Sequence, residues 1–284
     1  MADRLRDEGN WPRARLDADY TARDCVSAAD FTRIIADYAA LSAPARDLPG
    51  TRLDIAYDGA SGERMDLYGV GQNGGIVLFL HGGYWRALSK GHSAFVAPML
   101  AARGIATAVP DYTLAPGASL TEITRQMRAA FAHVWHNAEG LGIDPRRIVV
   151  SGSSAGGHLA AALAMPGWQV EFGLPDEAVH SAMPISGLFE LAPIAASHVQ
   201  DWMALSPAEV AALSPARHVA GTARSLVVLA EAETEGFRRQ SAAYAESLGA
   251  ECLTVPGRNH FDVVLDLVDG ESLLSRRLLG LVAG

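Results

Sequence analysis

Gly152-Ser153-Ser154-Ala155-Gly156 sets a serine between two glycines, each two positions away. Ile148-Val149-Val150 just before it is an apolar, β-branched strand signal, and Gly157 to Leu163 opens an Ala-rich helix, so Ser154 is expected on a strand-to-helix turn. A turn that sharp leaves no room for side chains two positions from the serine, hence the glycines, and it lifts the hydroxyl above the sheet. The chemistry this permits is nucleophilic attack on a carbonyl carbon. With 28 glycines in 284 residues the pentapeptide is by itself a modest signal, and a glycine-rich loop capping a helix or cradling phosphate is the plain alternative. A phosphate loop would carry a Lys after the glycines, where Gly157-His158-Leu159 stands.

A serine hydroxyl is a poor nucleophile at neutral pH and needs a base in hydrogen-bond reach and an acid to orient that base. Among nine histidines, His260 stands in Pro256-Gly257-Arg258-Asn259-His260-Phe261, a loop between the strand-like Cys252 to Val255 and a terminal helix. His81 belongs to a glycine loop and His158 to the helix after Ser154. His92, His133, His136, His180, His198 and His218 have no matching context and read as solvated or packed side chains. The acid is expected after a strand between Ser154 and His260, in the order Ser, Asp or Glu, His. Ser225 to Leu229 is that strand, and it runs into Glu231, Glu233 and Glu235. Spacing does not choose among the three. Asp262, beyond the histidine, is a poorer candidate on chain order.

The oxyanion formed on attack needs preorganised N–H donors, each typically worth ~10²–10³ in rate. The amide of Ala155 is one candidate, and Gly82 and Gly83 in His81-Gly82-Gly83-Tyr84-Trp85 supply others, because glycine lets backbone approach closely. Such donors and a histidine base cover what a metal would do, so neither metal nor cofactor is expected.

These residues need a scaffold. Short apolar runs at 76–80, 106–109, 148–150, 182–185 and 225–229 suit strands buried on both faces, and helix-like segments at 92–102, 120–138 and 157–165 alternate with them. The alternation predicts an α/β fold with a doubly wound, mostly parallel sheet. Residues 51–57 and 65–70, split by a turn-rich stretch, predict an antiparallel opening pair after an N-terminal helical segment that includes a helix over 28–41. The length suits a single domain. Residues 188–224, with Pro193, Pro207 and Pro215, read either as a small lid or as an ordinary surface excursion. A net charge of -9, a pI near 5.4 and no basic run argue against nucleic acid or an anionic membrane as partner. Cys25 and Cys252 form no metal or disulfide pattern, and with no apolar leader or stretch of roughly 20 apolar residues a cytoplasmic protein is expected.

The chain resembles the kynurenine formamidase (arylformamidase) branch of the α/β-hydrolases, near the hormone-sensitive-lipase-type esterases. The likeness lies in His81-Gly82-Gly83-Tyr84-Trp85, Asp111-Tyr112-Thr113-Leu114-Ala115-Pro116, Ser186-Gly187-Leu188-Phe189-Glu190-Leu191, Ser214-Pro215-Ala216-Arg217-His218, Phe237-Arg238-Arg239-Gln240-Ser241 and His260-Phe261-Asp262. It spans roughly residues 20 to 268. Alignment on residues 237–241 puts the family's acid, an aspartate, at Glu233, one methylene longer. The resemblance implies an aryl formamide substrate such as N-formylkynurenine, released as formate and the free amine, and a homodimer. Tyr84, Trp85, Phe189, Trp202 and Phe261 would line an aryl pocket. A general short-chain carboxylesterase would use the same three residues, and a ligand-binding protein that has lost catalysis is a third reading. The presence of Ser154, His260 and a carboxylate speaks against that third reading.

Overall fold

Strands form where the β-branched and apolar runs lie. The computed structural model describes residues 2–284, and Met1 lies outside the described residues. The strands are β1 (Arg52–Ala56), β2 (Arg64–Tyr68), β3 (Gly74–Leu80), β4 (Ala106–Pro110), β5 (Ile143–Ser153), β6 (Ser181–Ile185), β7 (Val227–Ala232) and β8 (Cys252–Asn259). They make one sheet in the order β1-β2-β4-β3-β5-β6-β7-β8, antiparallel at β1-β2 and β2-β4 and parallel at the other pairings.

The period of two along a strand explains why the central runs are wholly apolar. Ile76, Leu78 and Leu80 of β3 face one core, and Val77 and Phe79 face the other. In β5, Ile148 and Val150 join the first core and Val149 the second. Helices cover both faces. Ala155–Ala164, after β5, is buried along its whole length, which its small residues allow by letting it lie close to the sheet. On the second face lies the helix Ala28–Ser42, started by the Ser27 side chain accepting from the Asp30 amide and burying Ile34 and Tyr38 in that core.

Two elements differ from expectation. β5 begins at Ile143 rather than near 148: Ile143 pairs with Gly74 of β3 ahead of a register shift, and the Asp144 and Arg146 charges pair with each other at the surface. The helix expected over 92–102 is broken into two short 3₁₀ turns and Ala97–Ala101, where Pro98, lacking an N–H, occupies the first turn. Residues 188–224 form three short helices and a 3₁₀ turn, and Leu188, Leu191, Ile194, Val199, Met203, Leu205 and Leu213 are all buried in the first core. Within this stretch Glu190, fully buried, is held by a two-pronged contact from the Arg217 guanidinium. No helix among the described residues is long and apolar enough to cross a membrane.

Candidate active site

Ser154 follows β5 with φ 58° and ψ −117°, a conformation a non-glycine residue rarely adopts. Its amide donates to the carbonyl of Ile185 at 2.9 Å, tying the turn to β6. The flanking glycines have named neighbours. A Cβ on Gly152 would lie 2.6 Å from the Leu80 and Gly156 carbonyl oxygens, and one on Gly156 only 2.0 Å from the Leu80 oxygen. The turn is therefore pressed against the end of β3, and only residues without side chains fit there.

β7 and β8 are parallel neighbours in a register that sets Ala232 opposite Asn259, so the residues that follow, Glu233 and His260, leave the sheet side by side. The His260 Nδ1 lies 2.8 Å from the Glu233 Oε2, with both side chains shielded from solvent. A carboxylate can only accept, so in the neutral imidazole Nδ1 carries the proton and Nε2 keeps a free lone pair. Among the three carboxylates that spacing left open, only Glu233 meets the histidine. Glu231 is exposed and accepts from the Gly257 amide at 2.8 Å, and Glu235 is exposed in the first turn of the helix Glu235–Leu248. Asp262 accepts from the Asn259 amide at 2.7 Å.

Sequence reasoning gave no role to Ser186, whose hydroxyl donates to the other oxygen of Glu233. Ser186 is fully buried at the end of β6 with φ 47°, and its amide donates to Val228 at 2.7 Å. It lies in a block that carried the family likeness, but nothing in that block says which side chain it meets.

The glycine loop passes directly against the serine. A Cβ on Gly82 would lie 2.8 Å from the Ser153 oxygen and 3.4 Å from the Ser154 Cβ, and Gly83 has φ 96°. Ala155 is the first residue of its helix, so its N–H is among those no helical carbonyl can accept. Tyr112 pins the loop: its ring stacks on His81 at 4.1 Å, and its hydroxyl donates to the His81 and Gly82 carbonyls at 3.1 and 3.3 Å. Burial pushes the His81 imidazole down to about 4, which keeps it neutral at pH 7.

Ser154, 7% exposed, and His260, 2% exposed, open onto one cavity of about 530 Å³, with Gly82 and Gly83 in the same wall. Of the five aromatic residues expected around an aryl pocket, Tyr84, Trp202 and Phe261 line it. The Trp202 indole N–H donates to the Tyr84 carbonyl at 3.2 Å, and Phe261 meets the His260 ring edge-on at 5.0 Å. Trp85 and Phe189 are corrections. Trp85 turns into the first core and packs edge-on against His158 at 5.2 Å, while Phe189 stacks on Tyr244 at 4.2 Å in a separate cluster. Positive φ angles at Tyr84 and Trp85 send the chain through a tight bend, which no spacing argument reveals.

The N-terminal segment contributes more than the sequence suggested. Phe31, Ile35 and Tyr38 from one face of the helix Ala28–Ser42 line the cavity, and the Tyr38 hydroxyl donates to the Phe261 carbonyl. The spacing of these three was the available signal, but it reads equally as a core face. His92 and His198, expected as solvated or packed side chains, also line the cavity. His158 is fully buried with Nε2 2.8 Å from the Leu213 oxygen. Cys25 and Cys252 are both free thiols. Among the described residues, no group of three or more His, Cys, Asp or Glu is arranged to hold a metal ion.

Comparison with known proteins gives the same picture of the fold. The BD-FAE family model matches residues 65–186. Kynurenine formamidase of Salmo salar is 29% identical over 253 residues, covering 83% of each chain. A thioesterase candidate from Silicibacter sp. TM1040 superposes with a TM-score of 0.79 at 28% identity, covering 95% of this chain and 99% of the other, and an esterase of Pyrobaculum calidifontis does so with a TM-score of 0.74 at 21% identity over 89% and 91%. The mostly parallel eight-stranded sheet with its antiparallel N-terminal pair is thus the α/β-hydrolase fold, and the chain is a hydrolase of that superfamily. Along most of its length the sequence is similar to kynurenine formamidases.

Proposed function

We propose that this protein cleaves an aryl formamide, of the type of N-formylkynurenine, by acyl transfer through Ser154. The observation that carries the reading is the buried His260–Glu233 pair opening onto the same cavity as a serine held at φ 58°. Ser154 Oγ attacks the formyl carbon while its proton passes to His260 Nε2, and Glu233 holds the Nδ1–H and offsets the charge on the imidazolium. The carbonyl oxygen becomes an oxyanion facing the amides of Ala155 and the Gly82-Gly83 loop. Collapse breaks the C–N bond, and the leaving amine takes the proton from His260. Water then adds to the formyl-serine, giving its proton to His260, and formate departs as Ser154 recovers its own.

The substrate assignment is supported by the likeness to kynurenine formamidases along most of the chain and by the aromatic wall of Tyr84, Trp202 and Phe261. The cavity volume also fits short-chain aryl esters, so a general carboxylesterase is the second reading. The two are separated by kcat/KM on formanilides against p-nitrophenyl acetate and butyrate. Butyrate turnover far above that of every formamide overturns the formamidase assignment. Fluorophosphonate labelling that stops on Ser154→Ala is expected, and a folded wild-type protein that takes no label would leave only ligand binding.

A further inference from the structure

The glycine loop is held at both ends by consecutive residues just beyond β4. Tyr112 donates to the His81 and Gly82 carbonyls on the outgoing limb. Its neighbour Asp111 accepts from the Lys90 amide at 2.6 Å on the returning limb, where a 3₁₀ turn over Lys90–His92 begins. Between these ends the chain doubles back on itself. A Cβ on Gly83 would run into the Ala87 carbonyl, and Tyr84, Trp85 and Leu88 all take positive φ. The returning limb is thus the support against which Gly83 rests, and its Ala87, Leu88 and His92 line the cavity.

The Lys90 side chain fixes that limb a second time. Its ammonium lies 2.7 Å from both Asp54 of β1 and Asp66 of β2, with 16% of the side chain exposed. Asp66 is buried, accepts also from the Asp54 amide at 2.8 Å and the Tyr68 hydroxyl at 3.1 Å, and pairs with no other cation among the described residues. Asp54 sits where the β1–β2 register shifts, at φ 54°, so a strained bulge points its amide at Asp66 and its carboxylate at Lys90. An ammonium set between two carboxylates is weak evidence for stability, because taking the charges out of water costs much of what their pairing returns. What the arrangement supplies is location, since it ties a loop of unusual backbone angles to two strands of the sheet.

We propose that Lys90 is a positioning residue for the oxyanion site, locking the returning limb against Gly83 so that the Gly82 and Gly83 amides stand in place before substrate arrives. The proposal rests on acyl transfer at Ser154 and holds equally for a formamide or an ester. Lys90 does not line the cavity and acts only through the backbone it fixes. Donors that are displaced rather than lost forgo part of the ~10²–10³ each is worth, so removing the ammonium is expected to lower kcat about thirtyfold.

The test compares Lys90→Met with Lys90→Arg on whichever of formanilide and p-nitrophenyl acetate the wild type turns over faster. Because Lys90→Met strands the buried Asp66 carboxylate, it is also made together with Asp66→Asn. Asp54→Asn, at an exposed carboxylate, loosens the same contact in a chain that keeps the buried pair, and urea unfolding checks that each variant is folded. The Met variants should lose about thirtyfold in kcat with KM within about twofold, Asp54→Asn should lose about fivefold, and Lys90→Arg should recover most of the loss. A purely structural role would not move the second readout, inhibition by two ketones. Phenyl trifluoromethyl ketone takes the Ser154 oxygen at its carbonyl carbon and presents an oxyanion, whereas phenyl methyl ketone binds without reacting. The first should weaken by about the factor lost in kcat, and the second should hold its affinity. A folded Met variant or an Asp54→Asn protein within about twofold of wild type in kcat, equal weakening of both ketones, or an Arg variant as slow as the Met variant overturns the positioning role and leaves acyl transfer standing. A wild type with neither turnover nor a fluorophosphonate adduct overturns acyl transfer itself, and the proposal with it.

Discussion

Ser186 offers a quantitative check on how Glu233 is held. Its hydroxyl satisfies one carboxylate oxygen while His260 satisfies the other, and the Glu233 side chain has no exposure through which water could substitute. Ser186→Ala keeps the Cβ and removes only that donor. A hydrogen bond to a charged group is typically worth ~1.5–3 kcal/mol, and leaving the acceptor buried and unpaired exposes most of that cost. About 2 kcal/mol is therefore expected from stability by urea unfolding. If the orientation of the carboxylate matters in the transition state, kcat should fall about 30-fold with KM little changed. Ser186→Gly separates the hydroxyl from the backbone. At φ 47° a side chain costs roughly 1 kcal/mol, which glycine relieves. The glycine variant should thus be more stable than the alanine variant yet equally slow. Hydrolysis of p-nitrophenyl acetate is the assay for both. An alanine variant within about threefold of wild type, or a glycine variant that regains activity, would refute the view that this hydroxyl positions Glu233.

Three further outcomes are expected. Gly156→Ala, whose Cβ would lie 2.0 Å from the Leu80 oxygen, should destabilise the chain by about 3 kcal/mol or more in urea unfolding. Trp85→Ala should cost roughly 3–5 kcal/mol by emptying a core site; Trp202→Ala should instead raise KM for aryl substrates, so a KM effect confined to Trp85 would contradict the placement of the two rings. His81 and His158 are held down to about 4 by burial. The unfolded chain binds protons at these sites from near pH 6.5, so stability is full above that value, falls as pH drops toward 4, and changes no further below it. Between pH 7 and pH 5 the loss is about 2 kcal/mol for each histidine, and His158→Asn should reduce the measured slope.

The sharp turn at Ser154 was legible because its signal is local. A strand run, two glycines and a helix opening are contiguous, and the clash that demands glycine acts within a few residues of chain. The doubly wound sheet was legible for a related reason, since strands buried on both faces must be apolar throughout. Glu233 was not separable from Glu231 and Glu235 by spacing, and the family likeness, rather than any local rule, pointed to it. Trp85 and Phe189 misled because a large aromatic beside a site motif carries no mark of which way the chain turns beneath it.

By itself the sequence determined the order of strands and helices, the sharp turn at Ser154, and the short list of histidines and carboxylates that could serve it. Each follows from steric and hydrophobic constraints that act along the chain. The tertiary structure alone decided the β7-β8 register that sets Glu233 beside His260, and the partnership of Ser186 with that carboxylate. It alone made the helix Ala28–Ser42 a wall of the cavity. These depend on contacts between segments tens to hundreds of residues apart, which are fixed only when packing closes the sheet, its helices and the N-terminal segment around one space.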